Sequence, residues 1–265
     1  MARRFSMACR RGGLAAVLLL SFRAKSEERL VLPGVARTNG VGGSRFVSTA
    51  WLHNPSDSQL AVDLALVAAT GPAGTARLVL GPRETRRVED PVGSLFGLDS
   101  AAGALTARAD RPFLLRGVTA NVADPRGTYG LALPALRESE ALRPGETGIV
   151  PWLTHTVAAG IGFRTNVAVA LLEPGSEALV TIVDDSGLVR GEKRLVGADA
   201  LFWQQPVTEL VADAEIPLGR VEVRVLRGSL VAYAAVVDNV TGDGLLALAR
   251  RIETPAAAPY SLLFP

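Results

Sequence analysis

From about residue 30 onward, apolar residues come in short runs with a period of two, and each run ends at a cluster of Gly, Pro, Asn or Asp. Gln59–Ala69 is the clearest: Leu60, Val62, Leu64 and Leu66 fall on one side, Ala61, Asp63 and Ala65 on the other. Side chains alternate faces along a strand, so this pattern predicts a strand with one side in a core. Phe46–His53 ends at Asn54-Pro55-Ser56-Asp57, and Thr70-Gly71-Pro72-Ala73-Gly74 is expected to separate Gln59–Ala69 from Thr75–Leu80. Val221, Val223 and Val225 face one way and Glu222 and Arg224 the other, ahead of a turn at Arg227-Gly228-Ser229. Strands punctuated in this way every 8–12 residues or so predict a β-sandwich or barrel. No segment has both the length and the 3.6-residue period of a substantial helix. Short helical turns are predicted only at 91–98 and 206–212, each about two turns long.

The run order repeats. Ala104–Ala109, a turn at Asp110-Arg111-Pro112 and Phe113–Val122 match Arg220–Val225, a turn at Arg227-Gly228-Ser229 and Leu230–Val237. Upstream, Phe46-Val47-Ser48-Thr49 matches Phe163-Arg164-Thr165-Asn166, and the Asn54-Pro55 turn matches Glu173-Pro174. Five features recur in the same order about 115–119 residues apart, which points to a duplication. The expected organisation is a first unit at 30–136, a charged Pro/Gly-containing linker at 137–147, a second unit at 148–253 and a tail at 254–265. Each unit is about the size of an immunoglobulin-like sandwich, so the expected fold is all-β, two tandem immunoglobulin-like β-sandwich domains.

The F-x-T/S run, the N/E-P turn, Asp90–Leu98 (D-x-x-G-x-L-F-G-L) and Val236–Asp243 (V-V-D-N-x-T-G-D) resemble bacterial secreted proteins built from tandem immunoglobulin-like domains of unassigned function. The resemblance spans nearly all of 30–250. It implies fold and export; its motifs mark turns and packing, and no catalytic residue comes with it.

The N-terminus supports the same compartment. A basic stretch ending at Arg11 precedes an apolar one from Gly12 to Phe22, the pattern of a secretory signal, here expected over 1–24. That stretch is too short for a comfortable membrane span of about 20 residues. Composition then changes the charge picture. The chain has 28 Lys+Arg against 26 Asp+Glu, for a net +2. Residues 1–24 hold five arginines and no acid, so the remainder has 23 against 26, a net −3. Nothing in that balance favours nucleic acid.

Candidate chemistry is sparse. One cysteine excludes a disulfide framework and a thiolate metal site, and two histidines, His53 and His155, leave little for acid–base work. No G-x-S-x-G elbow occurs. The Asp184-Asp185-Ser186-Gly187 and Asp238–Asp243 turns lack the spacing of a calcium loop, and local turn chemistry accounts for them. Arg86-Arg87 and Arg250-Arg251 have no aromatic beside them in sequence and read as solvated strand ends. Trp51, Trp152 and Trp203 remain as candidate glycan contacts, although Trp51 lies opposite Ala50 and Leu52 and the pattern leaves open which side is core. No catalytic residue, metal ligand or cofactor is expected. The expected function is an exported, non-enzymatic structural or adhesive module contacting protein or cell-surface glycan. The alternative is a carbohydrate-binding accessory domain using exposed tryptophans.

Overall fold

The computed structural model describes residues 27–252 apart from 126, 128, 159 and 212–214. The expected signal at 1–24 and tail at 254–265 lie outside the described residues, as does residue 253.

The fold is all-β. The first nine strands are β1 (Glu28–Asn39), β2 (Arg45–His53), β3 (Leu60–Ala68), β4 (Gly71–Leu80), β5 (Thr85–Glu89), β6 (Ala101–Ala109), β7 (Leu114–Asn121), β8 (Tyr129–Pro134) and β9 (Leu136–Arg137). One face of this sandwich is ordered β4-β3-β6-β1-β9 and the other β5-β2-β7-β8, all antiparallel. A register shift interrupts the β1–β6 ladder between Leu32 and Val35; β1 stays paired with β6 as far as Arg37, and its last residues, Arg37–Asn39, pair with β2 on the other face.

The next nine strands repeat this order. They are β10 (Thr147–His155), β11 (Phe163–Leu171), β12 (Glu177–Asp184), β13 (Val189–Val196), β14 (Leu201–Pro206), β15 (Ile216–Arg227), β16 (Leu230–Asp238), β17 (Gly244–Leu248) and β18 (Arg250–Arg251). Their faces are β13-β12-β15-β10-β18 and β14-β11-β16-β17, element for element the arrangement of the first sandwich. Each has a five-stranded and a four-stranded side, against seven strands in a constant-type immunoglobulin domain.

The period-two reading of β3 is reproduced residue by residue: Leu60, Val62, Leu64 and Leu66 are buried in the first core with Leu32, Leu52 and Leu105. Val221, Val223 and Val225 enter the second core while Arg224 stays exposed. Pro91–Phe96 forms a short α-helix, α1, whose N-cap Asp90 accepts a hydrogen bond from the Gly93 amide at 3.1 Å and pairs with Arg37. At the second site the helical part is a single 3-10 turn, Val207–Glu209.

Two local readings differ. The break at Thr70–Gly74 is shorter than expected: the turn is Ala69–Thr70, and β4 already starts at Gly71 and contains Pro72 and Gly74. β4 is the outermost strand of its face, where a residue without an amide proton removes no ladder bond from a neighbour. Within 137–147, whose composition is that of a linker, Ala141 and Leu142 are buried and Leu142 exchanges backbone hydrogen bonds with Leu230 at 2.9 and 3.1 Å.

A third apolar cluster lies between the sandwiches. Val31, Val67 and Ala104, on the outer side of the first five-stranded face, meet Ala168, Ala170, Phe202, Val231 and Tyr233, on the outer side of the second four-stranded face. β16 is therefore buried on both sides, Leu230, Ala232 and Ala234 pointing into the second core and Val231, Tyr233 and Ala235 into the seam. The Tyr233 ring lies directly against the β1 backbone there, since a Cβ on Gly34 would collide with the phenol. Fully burying one large apolar side chain contributes about 1.5–3 kcal/mol, so this seam is a substantial contact.

Candidate binding face

The second four-stranded face is covered; among the described residues, its counterpart in the first sandwich is not. Ala50 and Leu52 are buried in the core, which turns Trp51 outward, half-buried, at the centre of β5-β2-β7-β8. Register places Arg87 of β5 on one side of Trp51 and Arg116 of β7 on the other, in a single cross-strand row. Side chains directly opposite on neighbouring strands are in contact range. The Arg87 guanidinium carbon lies 5.9 Å from the Trp51 ring centroid, and the same guanidinium pairs with Glu89 at 3.1 Å. This is cation–π distance. Arg116 is exposed and has no ion pair among the described residues. One row along, His53 Nδ1 and the Thr85 hydroxyl lie 2.7 Å apart across the same strand pair, with Leu114, 64% exposed, on the far side.

The reading of Arg86-Arg87 as a basic pair without aromatics therefore fails for Arg87: its aromatic comes from the adjacent strand. Neither Arg87 nor Arg116 is near Trp51 in sequence. The strand pairing brings them together, and the repeat preserves it: the row Arg87–Trp51–Arg116 corresponds to Gln204–Ala168–Tyr233, each partner the same number of residues further on.

The other tryptophans sit differently. Trp203 packs against the second core, its neighbours Phe202 and Gln204 facing the seam. Trp152 meets Phe163 edge to face, with centroids 6.4 Å apart and planes at 69°. The three indoles are not brought together on one surface.

Two depressions, of about 610 and 810 Å³, adjoin on the outer side of β4-β3-β6-β1. Their floor is a row of Arg77, Asp63, Arg108 and Arg29. These cations are matched by carboxylates: Arg77 with Asp63 at 3.5 Å, Arg108 and Arg29 with Glu27 at 3.1 and 2.7 Å, and Arg29 with Glu138 at 3.5 Å. That is a solvated ion network worth little per pair.

The carboxylate turns serve their own backbone. Asp184 accepts from the Ser186 and Leu188 amides at 3.0 and 2.9 Å, and Asp238 from the Val240 and Thr241 amides at 2.9 and 2.6 Å. Hydrogen bonds from the Ser186 side chain and the Thr241 amide, foremost among several, hold these carboxyls below the usual range. Among the described residues no group of three or more His, Cys, Asp or Glu is gathered as metal ligands would be. His155 is buried, its Nδ1 without a hydrogen-bond partner among the described residues; burial pushes its pKa down, partly offset by Glu215. Burial in the seam pushes the Tyr233 phenol well above its ordinary value, and its hydroxyl donates to Gln204 at 3.0 Å. No helix of the described residues is long and apolar enough to cross a membrane.

The chain matches no protein-family model and no curated protein.

Proposed function

We propose that this chain is an exported, non-enzymatic binding module of structural or adhesive kind, a tandem immunoglobulin-like protein that works through an exposed sheet face. One observation carries the reading. A face that is uncharged along its central row and covered in the second sandwich is, among the described residues, uncovered in the first, where it carries Trp51 between two arginines. Trp and Arg are the residues that most often dominate contact energy at recognition surfaces. The two sandwiches, locked by a buried seam, present that face on a fixed scaffold, which limits the ordering cost of binding. No arrangement of nucleophile, base and orienting group among the described residues competes with this reading.

The carbohydrate-binding alternative is favoured by the same residue, because an indole on a flat sheet surface can stack on a sugar ring. It rests on Trp51; Trp203 is engaged with the core and Trp152 with Phe163.

Fractionation of the native host, with N-terminal sequencing, tests export: the mature chain should start between about residues 22 and 30 and leave the cytoplasm. Binding of purified chain to the host's surface polysaccharide and protein fractions should fall with Trp51→Ala and not with Leu218→Ala, on the opposite sandwich. A cytoplasmic chain retaining Met1, or surface binding indifferent to Trp51, contradicts the proposal.

A further inference from the structure

The Arg87–Trp51–Arg116 row is chemically uneven. Arg87 lies against the indole and shares its charge with Glu89, so it fixes the ring more than it offers a free cation. Arg116, on the other side of the ring, is exposed and carries no ion pair among the described residues. With neighbouring strands about 4.8 Å apart, the two guanidinium-bearing positions lie about 10 Å apart across Trp51.

Resting on the binding-face reading above, we infer that this row selects an acidic glycan, a uronate-bearing oligosaccharide whose ring stacks on Trp51 and whose carboxylate is taken by Arg116. A guanidinium matches a carboxylate with two parallel hydrogen bonds, and the flat indole accepts the apolar side of a sugar ring. Arg87 is a positioning residue. Charge density argues for a glycan over a nucleic-acid strand. A nucleic acid carries a phosphate at every nucleotide and asks for a track of cations. The row offers one uncommitted guanidinium, and the chain from residue 25 onward has a net charge of −3. A polymer with sparse carboxylates and sugar rings between them fits that surface; a dense polyanion does not. The repeat gives an internal contrast, since the corresponding positions, Gln204, Ala168 and Tyr233, bear no charge and are engaged by the other sandwich.

The test is a titration of the full chain, by calorimetry and intrinsic fluorescence, with a galacturonate hexamer, its methyl ester and a dT12 oligonucleotide. The acid hexamer should bind at least about tenfold more tightly than its ester, the difference a charge-assisted pair confers. Arg116→Gln should remove the preference, so that acid and ester bind equally. Trp51→Ala should abolish both, and Trp51→Phe should restore part of each; melting curves confirm that each variant is folded. Equal binding of acid and ester, still dependent on Trp51, overturns the acid selectivity while the glycan face stands. Binding of neither hexamer, or binding indifferent to Trp51, overturns the glycan reading itself. Tighter binding of dT12 than of the uronate overturns the choice of polyanion.

Discussion

In the second sandwich the outer side of β14-β11-β16 reads Gln204, Ala168, Tyr233 across one row; in the first, the same row of β5-β2-β7 reads Arg87, Trp51, Arg116. The backbone is the same and the surroundings are opposite. The covered row is uncharged, with a small residue at its centre and its one hydroxyl satisfied by Gln204. The free row has an aromatic at its centre and a cation on either side. The seam joins unlike faces of two like units, and a contact of that kind, repeated between molecules, has no natural end. Repeat architectures stop such growth by giving the terminal unit a polar outer surface. Arg87, Arg116 and Glu89 give the outer row of the first sandwich a polar surface of that kind.

The sharpest way to break this comparison is to disturb a core rather than a face. Val223→Asp buries a carboxylate among Val180, Val221 and Val225 and should cost about 3 kcal/mol or more, whereas Arg224→Glu, one residue along, should cost under about 0.5 kcal/mol. Urea midpoints of the two variants decide it. Tolerance at Val223, or collapse at Arg224, would mean that the strand register is wrong.

A smaller effect separates the faces themselves. Ala168→Trp places the first sandwich's central residue into the seam and should cost about 1–3 kcal/mol by overpacking, with Gly34 and Tyr233 forced apart. Trp51→Ala, the reciprocal change, loses the cation–π contact and the packing of a half-buried ring on an open face, and should cost about 1 kcal/mol. Equal costs would mean that the two faces are equally covered.

The smallest expected effect is a pH dependence. Because burial depresses His155, the folded state favours the neutral imidazole, and stability is present at high pH and lost as pH falls from the unfolded value of about 6.5 toward the folded one. The melting temperature should be flat between pH 8 and 7, fall below about 6.5, and fall less in His155→Leu. The stability that Asp184 and Asp238 gain from their lowered pKa values is present above the ordinary carboxylate value of about 4 and is lost only as pH falls below it. A wild-type curve flat to pH 5 would show that His155 is solvated.

Much of the fold was legible because its local cause is short-range. Leu60 to Leu66 alternate against Asp63 and Ala65, and the valines of β15 alternate against Glu222 and Arg224, so periodicity alone identifies strand and core side. The duplication was visible for the same reason. The seam was not. β16 is apolar on both sides, and a run such as Leu230–Val237 does not say that its second covering layer comes from β1, β3 and β6, more than 100 residues away. Nor does the composition of 137–147 show that Ala141 and Leu142 are buried. The candidate site was half legible: Trp51 stood out as a residue type, but its side of the strand and its arginine neighbours follow from pairings among three separated segments.

Hydroxyl-radical footprinting of the intact chain, read peptide by peptide by mass spectrometry, tests most directly whether one scaffold presents the same face free in one unit and covered in the other. Trp51 should be oxidised rapidly in the native chain. Phe202 and Tyr233, 2% and 5% exposed, should be protected until urea unfolds it. Oxidation of Phe202 and Tyr233 at rates typical of exposed rings in the native chain would contradict the account, since the sandwiches would then not be packed face to face.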